Sequence, residues 1–172
     1  MNFQKMMAVL FTLVLSGCVK LPENVQPVTG FEPDRYLGTW YEVARLDHSF
    51  EKGLSKVTAE YSLREDGGLR VINRGFSADK NEWQEAEGKA FFVDEQNTGY
   101  LKVSFFGPFS GAYAIFGLDK EDYSYSWVSG PDTGYLWLLA RSPEVSNELK
   151  QAFVSHADEL GFDTKELIWV EH

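Results

Sequence analysis

The chain has 172 residues, a formal charge of −10, a single cysteine and an aromatic content of 15%. The excess of acid disfavours nucleic-acid partners and electrostatic adsorption to anionic lipid, and a lone cysteine cannot staple the fold internally. The length suits one domain whose core is built from bulky apolar side chains.

At the N-terminus, Lys5 precedes an apolar run, Met6–Leu15, broken only by Thr12. A run of that size falls short of the roughly 20 residues a membrane-spanning helix needs. It fits the apolar region of an export signal, followed by the small residues Ser16 and Gly17. Cys18 comes next, as a reactive thiol, half of an intermolecular disulfide, or an attachment point. Leu15-Ser16-Gly17-Cys18 resembles the bacterial lipobox, whose cysteine is acylated and becomes the first mature residue. A thiolate is a good nucleophile for that reaction.

Residues 19–33 carry three prolines and no periodicity. They are expected to form an extended tether, with a reach of at most ~45 Å at about 3.1 Å per residue. Its second half, where Phe31 sits, could instead lie along the domain. The expected organisation is a signal over 1–17, a lipidated N-terminus and tether over 18–33, and a folded domain over 34–172.

From Tyr36 onward, β-type segments alternate with turn chemistry. Strands are expected near 38–47, 55–63, 69–76, 83–93, 100–106, 111–118, 123–129 and 135–141. The separators include "EDGG", "ADKN", "DEQNTG" and "GPDTG". Consecutive hairpin-linked strands without a crossover helix predict an antiparallel up-and-down meander. Closing it into an eight-stranded barrel removes both edges. Ser142-Pro143-Glu144 then reads as a helix start. Val145, Leu149, Ala152, Phe153, His156 and Leu160 form an apolar stripe to pack on the outside of the barrel, and Gly161 supplies the stop. "LIWV" (167–170) is a short terminal strand candidate.

Side chains alternate across a strand. In 55–63 the apolar set is Val57, Ala59, Tyr61 and Leu63; in 100–106 it is Leu101, Val103 and Phe105; in 69–76, Leu69 and Val71 share a face with Asn73. These faces are expected to point inward. Ala44, then Ala86, Gly88 and Ala90, then Ser124 and Ser126 place small residues on one parity of their strands, read here as inward. Small inward residues favour a barrel that holds a ligand over one filled by its own side chains. Glu42 shares parity with Trp40, so burial would oblige it to find a partner. Arg70 and Arg74 face out. Phe50, Phe106 and Phe109 lie in or beside loops, where they either rim the entrance or pack locally.

"GTWYEVARLD" (38–47), "GPDTGYLWLLAR" (130–141) and the helix and strand that follow, in this order over residues 30–172, resemble the lipocalin family. Longer stretches such as "GLSKVTAEYSLREDGGLRVINRGF" and "GFDTKELIWVEH" are similar to its bacterial outer-membrane lipoprotein branch. The resemblance implies an all-β lipocalin barrel with one C-terminal α-helix. It makes Gly38, Trp40 and Arg141 structural, with Arg141 lying across the Trp40 ring. It implies a fatty acid or lysophospholipid in the barrel, held by Val57, Ala59, Tyr61, Val71, Val103, Phe105 and, by family analogy, Trp137 and Leu139. It further implies a role in envelope lipid storage or transport, outer-membrane attachment through acylated Cys18, and a possible homodimer.

For other chemistry the signals are sparse. His48, His156 and His172 lack metal-ligand spacing, and neither a Gly-x-Ser-x-Gly element nor a phosphate-binding Gly-rich loop occurs. His48 is expected on the surface and His156 packed on the helix stripe. No cofactor, metal or catalytic residue is expected. The alternative is an enzyme acting on lipids or isoprenoids in the same cup through a carboxylate such as Glu42.

Overall fold

A computed structural model describes residues 19–172. The export signal expected over 1–17 and Cys18 lie outside the described residues. After a single helical turn, α1 (Pro33–Tyr36), eight strands follow in sequence: β1 (Gly38–Arg45), β2 (Leu54–Leu63), β3 (Leu69–Ser77), β4 (Glu82–Phe92), β5 (Tyr100–Phe106), β6 (Phe109–Leu118), β7 (Tyr125–Ser129) and β8 (Leu136–Ala140). Each pairs antiparallel with the next, and β8 returns to β1, so the sheet closes as the alternation and turn signals predict. Closure leaves the barrel without an open edge.

Two apolar clusters divide the molecule. The inner one joins Phe31, Tyr36, Trp40, Tyr61, Leu69, Val71, Leu101 and Ile115 at one end of the barrel. The outer one lies between the barrel wall and α2 (Asn147–Glu159), where Phe153 and Ala157 are buried against Ala44, Phe116, Leu136 and Leu138. The helix begins four residues after the expected start. Ser146, not Ser142, is the cap, its hydroxyl accepting from the Leu149 amide. At the other end Gly161 adopts φ +92°, and the Gly161 and Phe162 amides donate to Asp158 and Ala157. That pairing satisfies two terminal carbonyls through a left-handed glycine. Of the expected stripe, Ala152 faces solvent and His156 is only half-buried, stacking on Phe116.

A one-residue bulge in β1, between Glu42 and Ala44, shifts its register against β8. Ala44, expected inside by strict alternation, therefore faces the helix. The last strand, β9 (Ile168–Trp169), pairs with Ala44 and Arg45, where β1 has parted from β2.

Of the stretch expected to be an extended tether, the second half lies along the domain, the alternative left open for it, and the first half is packed as well. Val25 and Phe31 are buried. The Val28 amide donates to Ile115, the Phe31 amide donates to Asn97, and the Val28 carbonyl accepts from Gly99. The physical reason is that Val25, Val28 and Phe31 supply apolar surface that the barrel wall can bury, which composition alone conceals.

Candidate ligand-binding site

The barrel has unlike ends. One is closed by α1, by the loops after β2, β4 and β6, and by Trp40. Gly38 enters β1 with φ +91°, a conformation L side chains rarely adopt. The Trp40 indole then donates to the Tyr36 carbonyl at 2.8 Å. Arg141 covers the ring at 3.8 Å and donates to the Thr39 and Arg35 carbonyls. Tyr123, φ +54°, turns its buried ring in beside Phe31, and its hydroxyl accepts from the Glu32 amide.

Toward the other end the interior opens into a cavity of about 770 Å³. Val57, Ala59, Tyr61, Val71, Val103, Phe105, Trp137 and Leu139 all line it. Leu63, on the same face of β2 but at the closed rim, is exposed. Phe105 lies flat across β4 because Gly88 is there; a Cβ at that position would meet its ring at 2.7 Å. Phe50, Phe106, Phe109 and Tyr135 surround the mouth. Arg70 and Arg74 stay outside in ion pairs with Glu87, and with Glu85 and Glu60.

Polar groups enter the cup at two depths. Near the floor, Tyr61 donates to the Tyr113 hydroxyl at 2.8 Å, Tyr113 is bonded to Tyr36 at 2.8 Å, and Tyr36 reaches Ser126 at 3.2 Å. Burial pushes the Tyr36 hydroxyl up to about 12 and raises Tyr61 and Tyr113 well above the usual phenol. These hydroxyls stay neutral. Higher up the wall, Asn73 turns a buried side-chain oxygen inward that has no hydrogen-bond partner among the described residues.

Near the mouth lies a cluster of charged side chains. Glu42 is 3% exposed and Arg45 1%, and they pair at 2.7 Å. Arg45 also donates to the carbonyls of Glu51 and Leu54. The Glu51 carboxylate accepts from Trp137 at 3.1 Å and meets the His48 ring at 2.8 Å. His48 is therefore buried under Phe50, Tyr135 and Trp137, against the expectation of a surface position. Burial, with the charge of Glu51 next, pushes Glu42 well above the usual carboxylate range despite Arg45. Burial alone would raise Glu51 too, but its contacts with His48, Trp137 and Arg45 outweigh it and hold Glu51 low.

The partner of Glu42 escapes simple alternation, because residues 42 and 45 have opposite parity. The bulge after Glu42 brings both to the inner face. Three-apart opposite charges flanking an otherwise apolar strand were the available signal. The arrangement is that of an apolar pocket with a few placed polar groups, within the usual size range for small-molecule sites. No group of His, Cys, Asp or Glu that could hold a metal occurs among the described residues.

Residues 31–172 match the family model described as a lipocalin-like domain. The chain is 59% identical over 163 residues to outer membrane lipoprotein Blc of Vibrio cholerae, covering 95% of each. It is 51% identical over 161 residues to outer membrane lipoprotein Blc of Escherichia coli K12, covering 94% of this chain and 90% of that one. Among solved structures, insecticyanin of the tobacco hornworm Manduca sexta superposes with a TM-score of 0.69 at 19% identity, over 86% of this chain and 84% of that one. The last likeness concerns the fold alone.

Proposed function

The chain belongs to the lipocalin family, and from that premise we propose that it is a lipid carrier anchored in the outer membrane through acylated Cys18, with a fatty acid or lysophospholipid in its barrel. The observation that carries this reading is the cup itself: an apolar interior of about 770 Å³ with one open mouth. Each methylene removed from water there gains about 0.8 kcal/mol. A chain of several methylenes therefore binds without any strong polar contact. The names of the relatives support the membrane assignment, and the lipobox-like sequence before Cys18 supports the mode of attachment.

A carrier is favoured over a lipid-modifying enzyme by the state of the carboxylates. An enzyme working through a carboxylate base would need one that is ionised and free to take a proton beside a reacting atom. Glu42 is kept protonated by burial, and Glu51 is held by His48 and Trp137.

Native mass spectrometry of the protein extracted from its own cells tests the proposal. The expected result is a lipid of unchanged mass bound one to one, with acyl chains on Cys18. Conversion of added lipid would favour the enzyme. An interior that takes up no apolar probe would refute both.

A further inference from the structure

Between the floor tyrosines and the charged cluster near the mouth, a polar side chain is set in the apolar wall. Asn73 lies at the middle of β3 and lines the cup. Its cross-strand neighbours are Ala59 in β2 and Ala86 in β4, and both line the cup as well. One inward step deeper, Val71 stands between Tyr61 and Gly88, with the Phe105 ring over Gly88. The amide is thus flanked by two methyl groups, which leave room for a ligand atom beside it.

The other polar groups of the interior are engaged with one another. Tyr61, Tyr113, Tyr36 and Ser126 form one chain, and Glu42, Arg45, Glu51 and His48 form another. Of the buried side-chain atoms without a hydrogen-bond partner among the described residues, Asn73 Oδ1 is the one whose residue lines the cup. Buried polar groups in native proteins are nearly all paired, and one left unpaired is costly. An ordered water is a poor partner, since it needs roughly two to four polar contacts and the neighbours at this level are alanines. A group carried on a ligand needs only the one contact, because burial of its apolar chain brings it there.

That group must donate to Oδ1. A carboxylate and a ketone only accept. An ammonium would place a charge in an apolar wall without a counter-charge. A hydroxyl donates and stays neutral. It also accepts, so it suits the amide either way round, and the last torsion of an asparagine is broad and roughly two-fold.

Resting on the carrier reading, we propose that Asn73 is a subsite for a hydroxyl group on the acyl chain, so that the cup selects chains hydroxylated at the depth of the Ala59–Asn73–Ala86 row. The selection is positional. A hydroxyl elsewhere along the chain is buried against Val57, Val71, Val103 or Leu139 and finds no partner. It is also chiral, because one strand presents the amide from one side of the ligand.

The test follows displacement of a fluorescent fatty acid from the delipidated protein by hexadecanoic acid and by its monohydroxy derivatives, one for each carbon. Most derivatives should bind the parent protein several-fold more weakly than hexadecanoic acid does. At one carbon, or two adjacent ones, affinity should exceed that of the flanking positions about tenfold, and one enantiomer should account for the gain. Asn73→Leu should erase that maximum while binding hexadecanoic acid at least as well as the parent, which also reports an intact barrel. Asn73→Ala should erase it too. A scan without a maximum, equal binding of the two enantiomers, or a maximum that survives both substitutions overturns the proposal. Failure of the carrier reading registers separately: hexadecanoic acid itself, and the fluorescent probe, would then not bind at all.

Discussion

The guanidinium of Arg141 stands 3.8 Å from the centre of the Trp40 ring and ties the end of the last barrel strand to the start of the first. Its two hydrogen bonds, to Thr39 and Arg35, go to carbonyls beside α1 and β1. Trp40 in turn is fastened to the Tyr36 carbonyl. The closed end is therefore one linked unit of strand, helical turn and cation, lying below the cavity and not in its wall.

Arg141→Ala should accordingly cost stability and spare binding. A partly desolvated cation–π contact and two hydrogen bonds together suggest a loss of about 2–3 kcal/mol. Urea unfolding measures it, with the affinity for a fluorescent fatty acid expected within error of the parent. A large affinity loss with unchanged unfolding would place Arg141 in the ligand site.

Ala59→Trp should do the reverse. Ala59 lines the cup and lies opposite Trp40 and Asn73 in the neighbouring strands. An indole there occupies space otherwise open to an acyl chain. Excluding even two methylenes at about 0.8 kcal/mol each weakens binding roughly tenfold or more. Titration with a fluorescent fatty acid checks this, alongside a circular dichroism spectrum that should remain that of the folded barrel.

The barrel was legible because its strands alternate and its turns carry Gly, Asp, Asn and Pro at the changes of direction. The inward set Val57, Ala59, Tyr61, Val71, Val103 and Phe105 followed from parity, and Trp137 and Leu139 from resemblance. Parity failed at β1, where the bulge sends Ala44 outward and brings Arg45 to Glu42. Local signals also misplaced the helix start. Ser142-Pro143 and Ser146 are both plausible caps, and only the path from β8 to the outer cluster selects the second. His48 was missed because its burial depends on Phe50, Tyr135 and Trp137, which meet only when two mouth loops come together.

Tyr113→Phe should destabilise by about 1–2 kcal/mol, since it removes the hydroxyl to which both Tyr61 and Tyr36 are bonded. Tyr36 keeps Ser126, whereas Tyr61 is left without its acceptor. Adding Tyr61→Phe removes that stranded group. The double variant should therefore be less destabilised than the sum of the two single variants. Strict additivity in thermal or urea unfolding would show that the three tyrosines do not act as a network.

Glu42→Gln tests the buried charge cluster through pH. In the unfolded chain Glu42 loses its proton near its ordinary value of 4.5; in the fold, burial and Glu51 keep the proton on to well above that. Between the two values the native state binds more protons than the unfolded one, so this group lowers stability as pH rises. Glu51 works in the opposite sense. Its depressed native value adds stability above its ordinary 4.5, and that stability is lost as pH falls through the depressed value. Glutamine copies the protonated form of Glu42 in shape but cannot ionise. It also changes the hydrogen bonding at the Arg45 contact, and that change sets an offset between variant and parent. The readout is the slope. Above pH 4.5, and until Glu42 ionises in the folded parent, the melting temperature of the variant relative to the parent should rise with pH. A difference that stays flat over that window would mean that Glu42 is ionised throughout and held by Arg45 as a fully charged pair.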